Sequence, residues 1–210
     1  MYPYYTYWDP TYILVVIGAV ISMIASANVK RSFQKNSRVY NQRGLRAEQV
    51  AEMILRSAGI TDVSIRRVSG DLTDHYDPKA RVLRLSDSVY GSNSVAAIGV
   101  AAHECGHAIQ DQEDYVPLRF RSAFVPVANL GTQVAFPILL LGVFLGSSHF
   151  LIQVGLLCFF FGVLFQLITL PVEFNASGRA VRILRETGMM SDDELSKTKK
   201  VLSAAAMTYV

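Results

Sequence analysis

The sequence predicts an α-rich (α+β) integral membrane protein, in which a small β-sheet and a metal-binding helix sit beside about three transmembrane helices. No Asp, Glu, Lys or Arg occurs between Asp9 and Lys30, and none between Arg121 and Glu173. Two short segments before residue 90 alternate apolar and polar residues at the period of a strand. His103-Glu104-Cys105-Gly106-His107 lies inside an Ala-rich run, Ser94 to Gln110, with helical character. The chain has 210 residues, enough for one sizeable domain, and a net charge of +3 that reflects clusters beside the apolar stretches.

The first charge-free stretch holds the apolar run Tyr12–Ala27, close to the length of one bilayer crossing. Lys and Arg follow this run instead of preceding it, and the start Met1 to Trp8 carries no charge, so it reads as a span and not as a cleaved signal. The Tyr and Trp residues of that start fit an aromatic belt at the membrane interface. Residues 30–44 read as a basic, polar linker. Leu45–Ala58 places Val50, Ala51, Ile54 and Leu55 on one helical face, and Gly59 ends it. Val63–Val68 reads as a strand and Ser69–Asp71 as a turn. After a second turn at Asp77–Ala80 comes Arg81–Ser86, a partly exposed strand. Gly91-Ser92-Asn93 breaks the chain and offers a cap to the motif helix.

The second charge-free stretch is too long for one crossing. It splits at Gly146-Ser147-Ser148-His149 into spans Phe124–Leu145 and Phe150–Leu170. Val172–Glu186 has helical spacing and Gly188 closes it; Ser191-Asp192-Asp193-Glu194 opens a last helix with a capping box. The expected organisation is a tail and first span over 1–29, a cytoplasmic part over 30–121, two spans over 122–171, and cytoplasmic helices over 172–210.

Orientation follows from the basic residues. Lys30, Arg31, Lys35, Arg38, Arg43 and Arg46 follow the first span, Arg119 and Arg121 precede the second, and Arg179, Arg182 and Arg185 follow the third. The positive-inside rule puts 30–121 and 172–210 together in the cytoplasm of a multi-pass plasma-membrane protein. The basic cluster abuts a span, so phospholipid explains it and no nucleic-acid partner is called for. Cys105 and Cys158 are the two cysteines, and no disulfide is expected between a cytoplasmic helix and a span.

On a helix His103 and His107 stand one above the other and can offer two imidazole nitrogens to one zinc ion, with Glu104 beside them as general base. Cys105 points to the opposite side. A buried His-Glu-His set without a metal would be costly. Gly106 weakens the helix by about 1 kcal/mol relative to Ala, which marks a place where something packs closely. A catalytic zinc needs a third protein ligand. His149 falls on the far side of the membrane. His75, in Thr73-Asp74-His75-Tyr76, remains possible. Glu173 is preferred, as the first charge after the third span.

The stretches Leu72 to Pro78, Ala101 to Gln110 and Thr169 to Ser177 resemble the YugP-type family of membrane zinc metallopeptidases, over nearly the whole chain. The order of elements is more distantly similar to the HtpX and CAAX prenyl endoprotease group, where H-E-x-x-H is followed by two spans and then E-x-x-A-D. Here that second motif reads Glu173, Phe174, Asn175, Ala176, Ser177, so Ser177 stands where the wider group has an Asp that orients a ligand. The resemblance implies a zincin-like core, a Zn2+ cofactor, and an endopeptidase acting on protein or peptide substrates at the bilayer. Ser177 or Asn175 then supports a ligand, and His75, Tyr115 and Arg179 are candidates for a donor to the oxyanion. The strand Arg81–Ser86 is a candidate substrate edge. A regulatory membrane protein or a second copy is a further possible partner. The rival reading is a membrane scaffold with a structural zinc, but such a site does not need Glu104. Transport is disfavoured because the spans carry no ionisable residue apart from His149 at an edge.

The orientation is checked with single cysteines at Ser148 and Ser92, labelled in intact cells by an impermeant reagent. Ser148 is expected to react and Ser92 to stay protected; the opposite pattern reverses the orientation.

Overall fold

Small side chains build the centre of this molecule. Helix α3 (Val95–Gln112) carries alanine at 96, 97, 101, 102 and 108 and glycine at 99 and 106, so neighbouring helices can approach its backbone. Its first turn is capped by Ser94, whose hydroxyl accepts from the Ala97 N–H at 3.2 Å, one residue beyond the expected break. Nearly all of α3 is buried. The computed structural model describes residues 11–145 and 148–209, so the aromatic start and the turn residues Gly146 and Ser147 lie outside the described residues.

Around α3 stand α1 (Thr11–Asn36), α2 (Ala47–Ser57), α4 (Val116–Phe144), α5 (His149–Glu186) and α6 (Asp192–Ala206), with a short 3-10 turn at Met207–Tyr209. Val50, Ala51, Ile54 and Leu55 of α2 are buried, and α2 packs on α3. Gly59 takes φ +73° and ends α2 where a side chain would be strained. The α6 capping box is present: the Ser191 N–H donates to Glu194 Oε2 at 2.7 Å, and Ser191 Oγ accepts from the Glu194 N–H at 3.5 Å.

Strands β1 (Ser64–Val68), β2 (His75–Asp77) and β3 (Val82–Ser86) form one sheet in the order β1-β3-β2. β1 runs parallel to β3, with Ile65 opposite Leu83; β2 runs antiparallel to it, with Tyr76 opposite Leu83. The strand expected to be partly exposed is therefore the central one and has no free edge for a substrate. Leu83 and Leu85 are fully buried, each worth roughly 1.5–3 kcal/mol, and this burial pulls β3 to the middle. The sequence reading missed β2, whose three residues are too few to show a period.

Three further expectations are corrected. Residues 30–36 are not linker but the last turns of α1. α4 starts at Val116, eight positions before the expected start of the second span. α5 runs unbroken through Pro171, so the third span and the following helix are one element.

α4 and α5 are long and apolar enough to cross a membrane, and they pack on each other as an antiparallel pair. Glycine permits the close contact: a Cβ at Gly131 would stand 2.9 Å from the Cys158 carbonyl oxygen. The outward faces expose Phe136, Phe144, Phe150, Phe159 and Leu167, an apolar surface suited to lipid.

Gly106 marks the approach of α3 to α5. A Cβ there would meet the Ala176 carbonyl oxygen at 2.6 Å, and that neighbour is backbone, not a yielding side chain. Gly106→Ala gains about 1 kcal/mol of helix propensity but incurs an overpacking cost of about 1–3 kcal/mol. The expected outcome is a lower melting temperature in detergent; an increase would show that α3 and α5 can separate without loss.

Candidate metal centre

His103 and His107 project from one face of α3 toward Glu173 on α5. Their ligand atoms all lie within 4.8 Å of one another; His107 and Glu173 are buried and His103 is largely so. His103 Nε2 is 3.1 Å from Glu173 Oε2, and His107 Nε2 is 3.7 Å from the same oxygen. Tetrahedral ligands about 2.0–2.1 Å from a zinc ion stand roughly 3.3 Å apart, so the cluster has nearly that size.

The other ring nitrogens are held by the protein. His107 Nδ1 is 3.0 Å from Gln110 Oε1. The Gln110 amide nitrogen donates to the Val172 carbonyl at 3.0 Å and to Asn175 Oδ1 at 2.9 Å, which leaves its oxygen facing the histidine. An amide oxygen only accepts, so His107 carries its proton on Nδ1 and turns the Nε2 lone pair toward Glu173. His103 Nδ1 lies 3.0 Å from Ser177 Oγ, which can accept in the same way. Lone pairs and a carboxylate at these distances repel unless a positive charge stands among them. Burial pulls the His107 pKa down, but the neighbouring carboxylates Glu173 and Glu104 favour a proton on the ring, outweigh it and hold the pKa above its ordinary value. The pocket thus favours positive charge at these nitrogens, and the donor set fits a divalent ion with an orienting partner behind each histidine.

Glu104 is buried beside the cluster, and its Oε2 accepts from the Tyr76 N–H of β2 at 3.0 Å. A cavity of about 360 Å³ opens there, lined by His103, Glu104, His107 and Glu173 together with Asp74, His75, Arg121 and Tyr209. Larger cavities exist elsewhere, but this one is lined by all three candidate donors.

The remaining residues singled out from the sequence separate. His75 lines the cavity but stands outside the donor cluster: Nδ1 is 2.9 Å from the Thr73 carbonyl and Nε2 is 3.2 Å from an Arg84 nitrogen. Asn175 touches no histidine; it accepts from Gln110 and from Arg179 Nε at 2.7 Å. Arg179 is further engaged by Glu113 at 2.7 Å and lies over the Tyr115 ring, so neither Arg179 nor Tyr115 lines the cavity. Cys105 faces away, near the Ala51 carbonyl, and burial raises its pKa, so it stays a thiol.

Five contributors escaped the sequence reading. Gln110, three residues after His107, was legible as a polar residue on an apolar helix. Tyr76 contributes its backbone, which no side-chain pattern reveals. Asp74 accepts from the Ser86 N–H at 2.7 Å and hydroxyl at 2.8 Å, and burial pushes its pKa up. Arg121 was read as a membrane-flanking charge. Tyr209 follows the last helix with no signal at all.

A family model described as putative neutral zinc metallopeptidase matches residues 11–210. The chain belongs to this family. It is 47% identical over 200 residues to YugP of Bacillus subtilis (strain 168), named as a putative membrane protease; the match covers 95% of this chain and 88% of that protein. No solved structure matches the chain. Family membership implies zinc, and two imidazoles with one carboxylate are a donor set able to hold it.

One zinc per purified chain is the expected content. Glu173→Ala should lose it, whereas His75→Ala should keep it, both read by elemental analysis of folded protein. Loss in His75→Ala with retention in Glu173→Ala would move the third ligand to His75.

Proposed function

We propose that this protein is a membrane-embedded zinc endopeptidase that cleaves membrane or membrane-associated proteins at the cytoplasmic face of the plasma membrane. The observation that carries the reading is Glu104, a buried carboxylate beside three metal donors in an open cavity. A structural zinc is enclosed by four protein ligands; three donors next to a cavity suit catalysis. When bound, zinc supplies Lewis acidity that makes water a nucleophile near neutral pH.

The chain's own residues divide the remaining work. His103, His107 and Glu173 hold the ion. Ser177, and Gln110 held by Asn175, keep the two rings turned. Glu104 takes the proton from the attacking water and passes it to the leaving amine, while the Tyr76 N–H holds one of its oxygens and leaves the other facing the cavity. Arg121 is the preferred donor to the oxyanion. Among the described residues its Nε is buried without a hydrogen-bond partner, and its Nη2 comes within 3.8 Å of Glu173 Oε1. A guanidinium so poorly satisfied favours an incoming acceptor.

Access from the bilayer supports the substrate class. Leu118, Ser122 and Val125 line the cavity and belong to α4, one of the two helices able to cross a membrane. α1 is the third span in this reading: its 26 residues reach about 39 Å, and Val16, Ile17, Ile21 and Ile24 are exposed as a lipid-facing helix requires.

Glu104→Gln is expected to reduce proteolysis by about 10²–10⁴-fold with zinc retained. Arg121→Gln should lower kcat by roughly 10²-fold, also with zinc retained, and Arg121→Lys should recover part of it. Full activity in zinc-loaded Glu104→Gln sinks the mechanism. Loss of zinc from Arg121→Gln would assign Arg121 to holding Glu173 instead.

A further inference from the structure

A second cavity lies away from the metal donors, between α1 and α6. It measures about 780 Å³ and is lined by Asn28, Arg31, Ser32, Lys35, Asn36 and Val39 of the α1 side, facing Lys197, Lys199, Lys200, Ser203, Ala204 and Met207. On α1 these positions follow the spacing i, i+3, i+4, i+7, i+8, so they form one stripe of the helix. Lys200, Ser203 and Ala204 of α6, continued by Met207 of the 3-10 turn, form another. Two helices that pack together normally meet through apolar stripes. Here cations face cations.

Five of the chain's 20 Lys and Arg line this one cleft, with no Asp or Glu among the lining residues. Lys197 is paired with Asp193. Arg31, Lys35, Lys199 and Lys200 have no ion-pair partner among the described residues, so their mutual repulsion opposes closure of the cleft unless an anion enters.

The depth of the cleft selects the anion. The apolar run of α1 ends at Ala27, and the first lining residue is Asn28. Arg31 and Lys35 follow about 5 and 10 Å further along the axis, and the headgroup layer on one side of a bilayer is roughly 5–8 Å deep. The cations therefore stand at headgroup level and just beyond it. The membrane-side end of the cleft is lined by Ala204 and Met207, which suit the start of acyl chains. Asn28, Ser32 and Ser203 offer hydrogen bonds to a hydroxylated headgroup.

We infer that the α1–α6 cleft binds the phosphodiester headgroup of an anionic phospholipid, clamping α6 against α1. The inference rests on the membrane reading of α1 but not on the chemistry of the metal centre.

The test uses the full chain in an uncharged detergent, with melting temperature read on addition of phosphatidylglycerol, phosphatidylcholine or inorganic phosphate. Phosphatidylglycerol is expected to raise it by roughly 3–6 °C at tenfold over half-saturation; the other two should not. The shift should weaken with added salt. It should disappear in Arg31→Gln/Lys35→Gln/Lys199→Gln/Lys200→Gln, and fall by at least half in Lys199→Gln/Lys200→Gln, whose two positions are exposed and leave the fold intact if the fourfold variant fails to fold. An undiminished shift in the variants, or an equal shift with phosphatidylcholine, overturns the site. An equal shift with inorganic phosphate assigns the cleft to a soluble phosphate and overturns the lipid. Recovery of the chain from the soluble fraction without detergent would instead sink the membrane reading itself.

Discussion

The contact of α3 with α5 over Gly106 is the constraint on which the rest depends. A glycine on one helix lets the carbonyl at Ala176 of the other come to a distance that any side chain would forbid. That approach carries Glu173, three residues earlier on α5, into hydrogen-bonding range of His103. It also carries Ser177, one residue later, to the outer nitrogen of the same ring. A single backbone approach therefore delivers both a candidate metal donor and the group that orients the ring beside it.

Such a cluster is expensive without a positive charge among its donors. Two imidazole lone pairs and a carboxylate share a buried space, and the nearest cation of the protein is Arg121, at 3.8 Å from the far oxygen of Glu173. The surrounding hydrogen bonds explain how the arrangement survives. Gln110 ties His107 to α5 through Val172 and Asn175, and Arg179 joins Asn175 to Glu113. Each bond is worth only about 0.5–1.5 kcal/mol net, but together they stop the rings from turning away. The same network accounts for Asn175, Arg179 and Tyr115 standing behind the centre instead of in its cavity.

The two cationic features of the chain are physically different. Arg121 is largely shielded, poorly satisfied and aimed at a carboxylate, so its charge acts at short range. The residues of the α1–α6 cleft are open to solvent and act as a field, which salt screens over about 8–10 Å. Both lie next to where apolar helix meets polar protein, one at the start of α4 and the other at the end of α1. Their similarity in sequence, a basic residue beside an uncharged run, conceals this difference.

Local periodicities were legible in the sequence. The four-residue spacing places His103 and His107 on one face of any helix that forms there, and the Ala-rich run makes the helix. The buried face of α2, the capping box of α6 and the uncharged length of α4 and α5 follow from the same short-range rules. Tertiary structure alone decided what no window of residues contains. Burial moved β3 to the centre of the sheet, and a three-residue strand appeared because Glu104 and β3 both needed partners. α5 continued unbroken through Pro171. Arg121 and Tyr209 reached the cavity through the packing of elements distant in sequence. Sequence determines which side chains a helix or strand presents; only packing determines what they face, because that depends on how closely two backbones can approach.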